Sequence, residues 1–157
     1  MKSYLIKITM KKLTFLLVFI SIVGYSQNAP PTLFANDRQA FCPENPIIIA
    51  PSFTISDTDD TGVVSFSAQI SSGYQVNLDK LELDTTPYAS IGSVSWSFSE
   101  GKLTLTGVGG AEMLYTELQD AVRAIIFTTT AATVENEKVF SLTIGDANYL
   151  LSTNNFY

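Results

Sequence analysis

The chain has no histidine, one cysteine (Cys42), one tryptophan and only nine basic side chains in 157 residues. Without imidazole the most frequent general base is missing, and with it the Ser-His-Asp and Cys-His triads and histidine-ligated zinc sites. A single cysteine closes no internal disulfide. The few basic groups are also unevenly placed. Lys2, Lys7, Lys11 and Lys12 lie in residues 1–26, which hold no acid, so the remaining 131 residues carry five basic against fifteen acidic groups, a net charge of −10. So negative a surface repels phosphate backbones and anionic headgroups and lacks the basic stripe from which nucleic-acid binders draw affinity. Nucleic acid is excluded as a partner, and the pattern points to a protein that is not an enzyme.

Residues 1–12 form a lysine-bearing leader, followed by the apolar run Leu13–Val23. Eleven residues are too few to cross about 30 Å of hydrocarbon as a helix. Gly24 and Ser26 flank Tyr25 in the small-x-small spacing of a cleavage site, so residues 1–26 read as a signal peptide cut before Gln27. The expected location is extracellular or on the outer cell surface, with no membrane insertion after cleavage. In an oxidising compartment cysteines usually pair. For Cys42, set between Phe41 and Pro43, burial as a small hydrophobe is the favoured reading. The alternative is a partner cysteine on another chain or on further sequence.

Residues 27–39, with Pro30 and Pro31, read as an extended lead-in, and ordered structure is expected from Ala40. Beyond it, apolar and polar side chains alternate with period two. Val64, Phe66, Ala68 and Ile70 share one face; so do Val94, Trp96 and Phe98, with serines opposite. Lys102–Thr106 and Phe140–Ile144 repeat the pattern, and Phe53–Ile55, Lys80–Leu83 and Ile125–Thr128 are further strands. Such segments are half-buried antiparallel strands with one dry and one hydroxyl-rich face. Gly101 after Glu100 supplies the positive φ of a tight two-residue hairpin loop. Seven or eight short strands at this spacing predict a mainly β, antiparallel sandwich. The exception is Glu112–Ala124, where Leu114, Leu118, Ala121, Val122 and Ile125 recur with helical period. This one short helix is expected to plug an end of the sandwich.

Three carboxylates crowd Ser56–Gly62. Asp57 and Asp59, two residues apart on a loop, suit a calcium ion, which takes six to eight hard oxygens. The loop lacks the terminal Glu of an EF-hand, and the plainer reading, which the residue types favour, is Asx-turn chemistry. Asp146 in Gly145–Asn148 is expected to sit in an exit turn. Thr106–Gly110 runs from a strand toward the helix like a phosphate-cradling loop, but no Lys-Ser/Thr pair follows and Glu112 places negative charge at the site. Asp79, Glu82 and Asp84 read as a solvated strand edge, with no apolar pocket to raise a pKa for glycosidase work. No catalytic residue is assigned.

The ordered set Ile55–Asp59, Ser67–Tyr74, Asp79–Leu81, Gly101–Gly107, Tyr115–Val122 and Ile126–Thr128 resembles the cadherin-like (Ig-like) β-sandwich repeat of large bacterial surface proteins. Ala35–Pro43 and Ile144–Leu150 further resemble a variant near the N-terminus of proteins exported by type IX secretion in gliding bacteria. In those proteins a lectin-like domain can follow, with a gliding-motility-associated sorting domain last. The resemblance divides the chain into a signal peptide (1–26), a lead-in (27–39), a cadherin-like module (40–146) and, from 147 to 157, the start of a linker to a downstream domain. It implies a structural or adhesive role in cell adhesion. The implied partners are neighbouring modules, surface glycans or surface proteins, and calcium is the cofactor that stiffens module junctions. Only Asp57 and Asp59 match the family's Asp-x-Asp and carry over as metal ligands. The alternative role is a carbohydrate-binding accessory module of a lectin-like surface protein, with exposed Tyr74, Tyr88 or Tyr115 stacking on sugar rings.

Overall fold

The computed structural model describes residues 29–36, 38–43, 45–133 and 137–145, and the backbone of 150–156. The signal peptide and Asp146 lie outside the described residues. The strands are β1 (Thr32–Phe34), β2 (Ile47–Ile48), β3 (Thr54–Ser56), β4 (Gly62–Val63), β5 (Ser65–Ser72), β6 (Asp79–Glu82), β7 (Ile91–Ser97), β8 (Lys102–Gly107) and β9 (Met113–Leu114). Helix α1 (Tyr115–Val122) follows, then β10 (Ile126–Thr129), β11 (Val139–Gly145) and β12 (Leu150–Phe156). Among the described residues the protein is mainly β, with antiparallel sheets and one α-helix.

Alternation does the sorting. In β5, Phe66, Ala68 and Ile70 are buried while Ser65, Ser67 and Gln69 are not; in β8 and β11 the buried residues are Leu103 and Leu105, and Phe140, Leu142 and Ile144. Both strands pair with their neighbours through registers such as Phe66↔Leu105 and Phe140↔Ile70, which keep these side chains on one face. The resulting sheet has the order β12-β11-β5-β8-β7, and a second has the order β2-β10-β6. Leu81 and Phe127 of the second sheet join the same core as Phe66, Leu105 and Leu142 of the first. Edge-to-face ring pairs run through it, Phe53 against Phe66 at 6.0 Å and Phe127 against Phe140 at 5.7 Å. Helix α1 buries Leu118, Ala121 and Val122 in that core as their period predicts, whereas Leu114, expected on the same face, is exposed in β9.

The structure departs from sequence expectation at several points. The helix starts at Tyr115, not Glu112, because Met113 and Leu114 pair with Val63 and Gly62 instead. The lead-in holds a strand: Leu33 lies opposite Ile55 and packs on the core, so structure begins before Ala40. Leu150–Phe156, in the tail read as a linker, pairs with β11. The hairpin loop spans four residues, since Ser97 is opposite Lys102, though Gly101 does take a φ of 63°. Phe98, expected on the dry face, is 53% exposed, because it falls past the end of β7 in that loop.

Candidate functional site

The acidic loop connects β3 to β4 at the foot of α1. One carboxylate oxygen from each of Asp57, Asp59 and Asp60 lies within 4.8 Å of the others. Sequence reasoning named the first two. Asp60 joins them because the turn folds the loop back, and its place as the third acid in four residues was the available signal. Asp57 organises the turn. Its Oδ1 accepts the backbone N–H of Thr58 at 2.6 Å and of Asp59 at 3.2 Å, and its Oδ2 accepts the Tyr115 hydroxyl at 3.1 Å. The Tyr115 backbone N–H donates to the Thr61 carbonyl at 2.9 Å, and that of Ala29 donates to Asp59 Oδ2 at 3.0 Å. The loop is therefore tied to the first residue of the helix and to the segment that precedes β1. Burial pushes the Asp57 carboxyl up, but hydrogen bonds from Asp59, Tyr115 and Thr58 outweigh it and hold the group below the ordinary carboxylate value. It is ionised at neutral pH, and the cluster offers three hard oxygens of the six to eight that calcium uses. The bonds from Thr58 and Asp59 to Asp57 Oδ1 make the loop an Asx-turn, the plainer of the two expectations.

The three tyrosines considered for sugar stacking are half-buried, and each hydroxyl is engaged. Tyr74 donates to the Phe98 carbonyl at 2.6 Å, Tyr88 to that of Asp120 at 3.3 Å, and Tyr115 to Asp57. Tyr74 meets Trp96 edge-on at 6.2 Å, and Trp96 meets Phe98 likewise at 6.1 Å, an arrangement unlike a flat stacking platform. Burial, with Asp79 nearby, raises the Tyr74 pKa; burial, with Asp120 and Asp84 nearby, raises that of Tyr88.

One of the three acids expected at a solvated strand edge behaves differently. Asp79 is buried, and one of its carboxylate oxygens is paired. Its Oδ2 accepts the Lys138 ammonium at 2.6 Å and the Gln75 backbone N–H at 2.7 Å, while Lys138 also donates to the Gly73 carbonyl at 2.8 Å. Nothing local in the sequence links Lys138 to Asp79, 59 positions away, so the pairing was not legible there. Glu82 does stay near the surface, bonded to Lys80 at 2.6 Å, and exposed Asp84 caps the Thr86 backbone N–H at 2.9 Å. Glu117 in α1 accepts both the hydroxyl and the N–H of Ser90 at 2.7 Å, bonds that lower its pKa. Cys42, expected buried, is exposed, beside a surface cavity of about 600 Å³ with Asn45, Thr129 and Thr130; the adjacent Phe41 ring takes the apolar contact instead, 4.9 Å from Phe127.

Among the described residues no helix is long and apolar enough to cross a membrane. The fold and the loop define a β-rich module with an acidic cluster at the base of helix α1. No protein-family model, curated protein or solved structure matches the chain.

Proposed function

We propose that this chain is an exported, non-catalytic β-sandwich module with a structural or adhesive role in a bacterial cell-surface protein, stabilised by calcium at Asp57 and Asp59. The observation that supports it best is the position of the acidic loop. Its carboxylates gather where the segment before β1 and the first residue of α1 meet, through Ala29 and Tyr115. An ion bound there would clamp the start of the module to its body, the stiffening role that the cadherin-like resemblance implies. Hydroxyl-rich outer faces and an acidic surface suit a spacer among other modules and surface glycans or proteins.

The test is the native product itself. An antibody against the module should find it at the cell surface or in the medium of the producing cell, starting at Gln27. A product confined to the cytoplasm with residues 1–26 intact would overturn the reading.

A further inference from the structure

Strand β7 closes one side of the five-stranded sheet: it pairs with β8, and among the described residues no strand pairs with its other edge. Exposed edges are normally guarded by charge, proline or a bulge. On the second sheet, β6 carries the Lys80–Glu82 pair. In β7 the register shift lies between Ile91 and Ser93, leaving Ser93–Ser97 regular, and from Ser93 to Ser99 there is no charge and no proline. The charges that follow it along the chain, Glu100 and Lys102, neutralise each other at 2.9 Å. On a body of net charge −10 this strip is where another acidic molecule of the same kind can approach without opposing charges.

We propose that β7 is a homodimerisation edge that pairs antiparallel with β7 of a second copy about a two-fold axis at Ser95. The sequence of the strip is self-complementary in that register. Val94 falls opposite Trp96 of the second copy, and Trp96 opposite its Val94, giving two aromatic-to-β-branched cross-strand pairs. Both side chains are half-buried in the single chain, on the face that carries Leu105 and Leu103 in the next strand. On the other face Ser93, Ser95 and Ser97 meet Ser97, Ser95 and Ser93, small uncharged side chains that leave the axis uncrowded. A one-residue slip would set Ser95 against Trp96 and lose these pairs. The interface is isologous and closes on itself. Because each copy is acidic elsewhere, added salt strengthens the association by screening the repulsion of the two bodies.

Sedimentation equilibrium of the exported protein, from roughly 10 μM to roughly 1 mM, should show a monomer–dimer equilibrium that shifts toward dimer with sodium chloride. Ser95→Lys and Ser95→Asp each place like charges across the axis and should weaken self-association by about 100-fold or more. An equimolar mixture of the two should regain a heterodimer at the parent's affinity or above. Thr54→Lys, the same charge change on an exposed residue of β3, should leave the equilibrium unchanged. Melting curves confirm that each variant is folded. A parent that stays monomeric throughout, Ser95 variants that dimerise like the parent, a mixture that stays monomeric, or equal loss in Thr54→Lys would each overturn the proposal.

Discussion

Lys138 Nζ lies 2.6 Å from Asp79 Oδ2 with both side chains withdrawn from water, at 6% and 0% exposure. The pair joins the first residue of β6 to the residue before β11, and so ties one sheet to the other. The ammonium also lies 5.5 Å from the centre of the Phe127 ring, while Asp79 Oδ1 is buried with no hydrogen-bond partner. An ion pair so enclosed gains little over an apolar pair of the same shape, but losing one partner strands the other charge.

Asp79→Ala or Lys138→Met alone should therefore destabilise the protein by about 3–5 kcal/mol. The double variant Asp79→Leu with Lys138→Met should lose much less than the sum. Urea unfolding of all three checks this, and additive losses would refute it.

The acidic loop makes the calcium prediction. At a free calcium concentration 100 times its Kd, the gain is about 2.7 kcal/mol, so melting in millimolar calcium should rise several degrees above melting in chelator. Asp57→Ala with Asp59→Ala should abolish that difference. Coincident melting curves for the parent protein in the two buffers would remove calcium from the proposed function.

Glu117 sets a pH dependence. Its folded-state pKa lies below 4.5 because Ser90 donates to the carboxylate, so its contribution is present above the unfolded pKa and is lost as pH falls through the folded one. Glu117→Gln should melt below the parent at pH 7 and converge with it as the pH falls through the lowered folded-state pKa. A constant offset across that range would show that the bonds to Ser90 do not discriminate charge.

Gly101 sits at φ 63°, and a β-carbon there would come within 2.8 Å of the Tyr74 ring. Gly101→Ala should cost about 1–3 kcal/mol by denaturant unfolding, from backbone strain and ring displacement together. Measured in a Tyr74→Ala background, Gly101→Ala should cost less by the ring's share and keep the cost of the positive φ.

Exposed Cys42 should be labelled by a maleimide in the native state, without prior unfolding and without a change in melting temperature. Protection until unfolding would restore the expectation of burial.

The sequence by itself determined the strand faces and the buried side of the helix. Those follow from periods of two and 3.6, which act locally: Phe66, Leu105 and Leu142 had to share a face with their i±2 neighbours, and Leu118 with Val122. It also placed Asp57 and Asp59 on one loop, where adjacency in the chain guarantees adjacency in space. Only the tertiary structure decided which segments pair. Val63 and Gly62 draw Met113 and Leu114 into a ladder, so the helix begins three residues later than its apolar pattern. Lys138 comes from the far side of the chain to neutralise an aspartate that by composition belonged in water, and Phe98 is left outside because the strand ends one residue before it. These outcomes depend on cross-strand partners tens of residues apart, and a local pattern carries no information about which distant strand will supply the neighbour.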